Sequence, residues 1–219
     1  MRSSSGDFHK RFVFPFAAIL VLLSTQMVSA QTIDFESLVG GESLFGIDVN
    51  EDGRTDVQFS TTAAGGFNTA GPNPDDQVFA TGLVLETSSI SDPDIRVDFL
   101  GGATDSIQLG FALLASVDDP GQGLQVDVFD RLGVSLASEF RSGQLLSIDN
   151  VTGLSTFPEG LISVSFDGVA SFALLDATAT GTRFVIDDFS GTFAPAAVPE
   201  PSAGIGLALL GLLVRRRTA

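Results

Sequence analysis

Cysteine, tryptophan and tyrosine are absent from this chain, and its only histidine and only lysine, His9 and Lys10, both fall within the first ten residues. Each absence removes a chemistry from the rest. Disulfides cannot form. Without imidazole or thiolate there are no ligands for the usual zinc sites, no Ser-His-Asp or Cys-His pair, and no lysine for a Schiff base. Paired-carboxylate glycoside cleavage is the one common catalytic chemistry left open. Such an acid needs a pKa raised by burial, and no acid stands in an apolar run that would supply it; Asp176, after Leu174-Leu175, comes nearest. No catalytic residue is therefore assigned, and a non-enzymatic role is expected.

Positive charge is almost as scarce. Asp7 and Glu200 are the only acids outside residues 31–198, and Arg2, Lys10, Arg11 and Arg215–Arg217 the only bases. Between the two ends, 25 acidic residues face five arginines, a formal charge of −20. Such a surface repels nucleic acid. It favours solubility outside a cell, and its carboxylates are also potential ligands for divalent cations.

Long apolar runs occur only at the two ends. Arg2, Lys10 and Arg11 precede an apolar stretch from Phe12 to Leu23, and Val28-Ser29-Ala30 places small residues before Gln31. This is the pattern of a secretory signal peptide, residues 1–30, cleaved after Ala30. At the other end Val198-Pro199-Glu200-Pro201-Ser202 leads into an uncharged run from Ala203 to Val214, followed by Arg215, Arg216 and Arg217. Twelve residues make a helix of about 18 Å, short against a bilayer core of about 30 Å. The arginines suit a cytoplasmic interface. A transient, cleavable anchor fits this length better than a permanent span.

That order of triplet, short apolar helix and arginine cluster resembles the C-terminal sorting signal of the PEP-CTERM family, and the resemblance covers the tail alone. It implies recognition of Pro199, Glu200 and Pro201 by a membrane-embedded exosortase of a Gram-negative bacterium. It further implies transient inner-membrane anchoring through the C-terminal transmembrane helix, then delivery to the cell surface or extracellular matrix. The family's link with exopolysaccharide-producing bacteria makes extracellular polysaccharide a candidate partner.

Residues 31–194 are expected to form one all-β domain, with residues 195–219 as linker and sorting signal. Period-two alternation dominates: Ile95, Val97 and Phe99 alternate with Arg96 and Asp98, Leu124, Val126 and Val128 with Gln125 and Asp127, and Ile162, Val164 and Phe166 with serines. Ile107, Leu109, Phe111 and Leu113 share a further face. Each reads as a strand with one buried side. Turn signals fall between them, among them Asp52-Gly53, Gly101-Gly102 and Asp167-Gly168. About ten strands in a two-sheet antiparallel β-sandwich are predicted.

One loop carries a ligand pattern. Residues 48–56 read D-x-N-x-D-G-x-x-D, which places oxygens of Asp48, Asn50 and Asp52, the carbonyl of Arg54 and the acid of Asp56 at calcium-loop spacing, with Gly53 at the sharp turn. The loop is similar to those of EF-hand and dockerin type, which implies a structural calcium ion. Position 12 departs from that pattern, being Phe59 rather than glutamate, and Val57 and Phe59 read as a strand. An Asp-Gly hairpin turn ringed by solvated acids is the alternative reading.

The mature chain opens with Ile33-Asp34-Phe35-Glu36, and the domain closes with Phe184-Val185-Ile186-Asp187-Asp188-Phe189. The pair is similar to the opening and closing strands of jelly-roll sandwiches resembling carbohydrate-binding modules. That resemblance implies neighbouring first and last strands, with Asp34 or Glu36 near Asp187 or Asp188. The expected function is a structural or adhesive surface protein. Glycan binding is the alternative, and it would rely on carboxylates, amides, calcium, Phe67 or Phe157, since the amphipathic aromatics are missing.

Overall fold

A computed structural model describes residues 30–68, 77–88, 94–113, 121–146, 157–177 and 183–196. The signal peptide through residue 29 and the sorting residues Pro199, Glu200, Pro201, Arg215, Arg216 and Arg217 lie outside them. Among the described residues no helix is long and apolar enough to cross a membrane.

The alternating segments fold as strands, as predicted, and the described residues form eleven antiparallel strands where about ten were expected. They are β1 (Gln31–Ile33), β2 (Leu44–Ile47), β3 (Val57–Ser60), β4 (Phe67–Asn68), β5 (Leu85–Thr87), β6 (Ile95–Leu113), β7 (Gly123–Phe129), β8 (Ser135–Ser142), β9 (Glu159–Ser165), β10 (Ala170–Ala177) and β11 (Phe184–Phe193). The 19-residue β6 is the spine. Its first half lies between β3 and β10, and its second half between β9 and β11. One sheet therefore runs β2-β3-β6-β10-β7-β8. The other runs β9-β6-β11, with β5 and β1 both on the far edge of β11.

Gly101-Gly102 is where β6 changes sheet, which corrects the turn predicted there. The strand runs straight through these residues. Gly102 takes a left-handed φ of 96° that bends it, and a Cβ on Gly101 would collide with the carbonyls of Ala194 and Pro195. Two glycines thus mark a bend inside a strand rather than its end.

The inner faces carry the predicted apolar phases. Ile95, Val97, Leu109, Phe111, Leu124, Val126 and Val128 are all buried. Phenylalanine supplies much of the bulk: Phe59 meets Phe35 edge-on at 5.1 Å and Phe189 edge-on at 5.3 Å, the geometry that aromatic quadrupoles favour. β1 pairs with β11, Ile33 opposite Phe189, so the first and last strands are neighbours.

A strap, residues 77–84, lies outside the second sheet. Its Ala80 and Val84 are buried with Ala112 and Val185 in a small satellite core. The carbonyl of Phe79 occupies the place where Gly110 would carry a Cβ, so the strap lies directly on the β6 backbone.

Candidate functional site

The loop at 48–56 is organised from one side chain. Asp48 accepts the backbone N–H of Asp52 on Oδ1 at 3.1 Å and those of Gly53 and Arg54 on Oδ2 at 2.5 and 3.1 Å. Asn50 Oδ1 also accepts the Asp52 N–H, at 2.9 Å. Partial desolvation raises the Asp48 pKa, but the hydrogen bonds from Gly53, Asp52, Asn50 and Glu51 outweigh it and leave the carboxyl below its ordinary value. Gly53 turns with φ at 85°, as the sequence pattern requires.

Asp56 stands apart from this constellation. It is buried, accepts the N–H of Val49 on Oδ2 at 3.2 Å, and accepts that of Ala196 on Oδ1 at 2.8 Å. Among the described residues no three His, Cys, Asp or Glu side chains gather into a cation cage. Asp48 and Asn50 thus fold the turn around the loop's own amides, with Asp56 bracing it from behind.

Three further carboxylates fasten the strap. Glu159, fully buried, accepts the N–H groups of Val78 and Phe79 on Oε2 at 2.7 and 2.8 Å. Asp187 accepts that of Thr81 at 2.9 Å, and Glu36 that of Leu83 at 3.1 Å. Burial pushes the Asp187 carboxyl up to about 6; the amides of Thr81 and Asp188 work against this, while the neighbouring charges of Asp188 and Glu36 add to it. Glu36 and Asp187 thus belong to one neighbourhood, as the pairing of the chain's two ends implied. Burial likewise raises the pKa of Glu86 against the opposing pull of Arg183, whose Nε lies 3.1 Å away, and of Asn68. Among the described residues the buried acids are Asp56, Glu86, Glu159 and Asp187; Asp176 is exposed.

The solvent face of the six-stranded sheet holds a constellation that the sequence did not reveal. Cross-strand register aligns Gln58, Asp98, Phe172, Phe129 and Ser135 in one row, and Ser60, Arg96, Leu174, Asp127 and Ser138 in the next. Gln125 stands in a third row, between Asp176 and Phe140. Phe172 stacks on Phe129 with centroids 4.8 Å apart, and the Arg96 guanidinium carbon lies 3.9 Å from the Phe172 centroid. Arg96 also forks onto Asp98 at 2.6–3.0 Å. The result is a preassembled ladder of cation, ring and ring. Gln125 Nε2 donates to Asp127 Oδ1 at 3.1 Å and to Ser138 Oγ at 2.8 Å.

The alternation did contain a clue to this face. Phe129 and Phe172 are aromatic residues on the polar phase of their strands, out of step with Val128 and Ala173. Of the two phenylalanines offered for glycan contact, Phe67 is buried in the core and Phe157 is exposed. Phe67 is excluded because β4 turns its ring inward.

A second depression, about 430 Å³, lies between β8 and β9 and is lined by Phe79, Glu139, Arg141, Gln144, Leu161 and neighbouring residues. Here the two sheets are joined by a single bridge, Gln144 to Glu159.

No protein-family model and no curated protein matches the chain. Among solved structures it is similar to the K2 cleaved adhesin domain of Lys-gingipain, at 14% identity and a TM-score of 0.41, over 75% of this chain and 100% of that one. It is similar to a family 29 carbohydrate-binding module complexed with mannohexaose, at 10% identity and 0.34, over 74% and 90%. A GH87 α-1,3-glucanase catalytic domain in complex with tetrasaccharides gives 14% and 0.40; the match covers 74% of this chain but 30% of that one. All three TM-scores fall below 0.5, so function has to be read from this chain's own side chains.

Proposed function

We propose that the chain is an exported, non-enzymatic surface or matrix module that holds polysaccharide on the open face of its six-stranded sheet. The supporting observation is the Arg96-Phe172-Phe129 ladder with Asp98, Asp127 and Gln125 in register around it. Apolar ring edges beside fixed hydrogen-bonding groups are what a sugar, with C–H faces and hydroxyl rims, requires. The buried acids support a role without catalysis. Glu159 and Asp187 are occupied in holding backbone amides beneath the strap, where a substrate has no access.

Delivery follows from the two ends: the signal peptide exports the chain, and an exosortase reads Pro199, Glu200 and Pro201 while the short apolar helix and Arg215–Arg217 hold it in the inner membrane. Calcium at the 48–56 loop is structural in this account and stiffens the start of β3.

The test is retention of the purified protein on a panel of immobilised polysaccharides. Wild type is retained by at least one, and Phe172→Ala and Asp127→Ala elute early while melting as cooperative folds. Retention equal in wild type and both variants, or none on any polysaccharide, refutes the reading.

A further inference from the structure

The open sheet face keeps carboxylate acceptors free while its cation is paired. Arg96 commits Nε and Nη2 to Asp98, and Gln125 commits its Nε2 to Asp127 and Ser138. Left facing solvent are Gln125 Oε1, Asp127 Oδ2 and the carboxylate of Asp176, which take part in no hydrogen bond or ion pair among the described residues. A carboxylate only accepts. A ligand group that meets Asp127 or Asp176 must therefore bring a donor.

Charge points the same way. Arg96 is neutralised by Asp98 at 2.6 Å, which leaves Asp127 and Asp176 as uncompensated negative charges on the face. The surrounding domain adds to that field, with 25 acids against five arginines. A uronate or sulfate group brings further acceptors and further negative charge, and it would meet both unsatisfied oxygens and repulsion. A sugar hydroxyl donates its proton and carries no charge. Its ring C–H groups can rest on the edges of Phe129 and Phe172 and on Phe140, which is 43% exposed beside Gln125.

We infer that the ligand class is a polysaccharide without acidic groups, recognised through donated hydroxyls by Asp127, Gln125 and Asp176. This rests on the polysaccharide reading above and narrows it.

Affinity electrophoresis of the full chain in gels containing a neutral glucan or mannan, an acidic polyuronate, or an amino-polysaccharide separates the two claims. The expected result is retardation by a neutral polymer, changed less than about twofold when salt is raised to about 0.5 M, because little of it is screenable. Asp127→Asn, which keeps an acceptor, retains binding within about threefold; Asp127→Ala weakens it about tenfold, the loss of one strong hydrogen bond. Retardation confined to the polyuronate overturns the inference and leaves polysaccharide binding standing. Retardation confined to the amino-polysaccharide and abolished by salt also overturns it, since bulk charge attraction would then suffice. No retardation in any gel overturns the polysaccharide reading itself.

Discussion

Asp56 and Ala196, 140 residues apart in the chain, meet at 2.8 Å, where the buried carboxylate accepts the backbone amide of the segment leaving the last strand. The other oxygen of Asp56 accepts the N–H of Val49 within the 48–56 loop. One side chain thereby ties the loop to the domain's exit. Hydrogen bonds to a charged acceptor are worth about 1.5–3 kcal/mol each, and orphaned amides add a desolvation cost. Asp56→Ala is expected to lower stability by about 3 kcal/mol in chemical denaturation. A loss under about 1 kcal/mol would show that the tie is incidental.

Asp187 makes stability depend on pH. Its carboxyl sits at about 6 in the fold against an ordinary 3.8, so between these values the native state holds a proton that the unfolded state has released. This group's contribution is complete below about pH 4, falls as pH rises to about 6, and is flat beyond. The gap between the two values sets an upper bound of about 3 kcal/mol on it, which partial solvent screening reduces. Asp187→Asn should remove that slope between pH 4 and 6, even though the amide disturbs the bond from Asp188. An unchanged slope would assign the effect to other groups.

Gly110 has no room for a methyl group because the Phe79 carbonyl occupies its place. Gly110→Ala should lift the strap and cost about 2–3 kcal/mol, in the range of overpacked cores. Amide exchange of Val78, Phe79 and Thr81 should accelerate more than that of β7. Uniform exchange across the domain would contradict the strap's placement.

Calcium at the Asp48 loop predicts a rise in melting temperature over an EGTA control. At calcium about 100 times the dissociation constant the gain is about 2.7 kcal/mol. Asp48→Ala should abolish the rise and also loosen the turn, because the amides of Gly53 and Arg54 lose their acceptor while that of Asp52 keeps only Asn50. Equal melting with calcium and with EGTA would leave the loop a plain Asp-Gly turn.

Alternation made the strands legible because one face of each is buried, so Ile95-Val97-Phe99 and Leu124-Val126-Val128 could be assigned from period two alone. Register was not legible. Nothing local says that Phe129 faces Phe172, or that Arg96 stands one row on, since these pairings depend on which strands become neighbours. The strap's clamp was not legible either: Asp188 takes a φ of 47°, the β11 register shifts between Asp187 and Ser190, and Asp187 is buried on the side of β11 that the strap covers, which no local pattern announces. Gly101-Gly102 misled for a related reason, as a bend inside a strand and a turn between strands use the same residue.

Mapping amide chemical shifts during titration with a neutral oligosaccharide tests the binding face most directly. Perturbations centred on Gln125, Asp127, Phe129, Phe172 and Leu174, with the β8–β9 depression and the Asp48 loop unmoved, are the predicted result. Shifts centred on Arg141, Gln144 and Leu161, or none anywhere on the sheet, would contradict it.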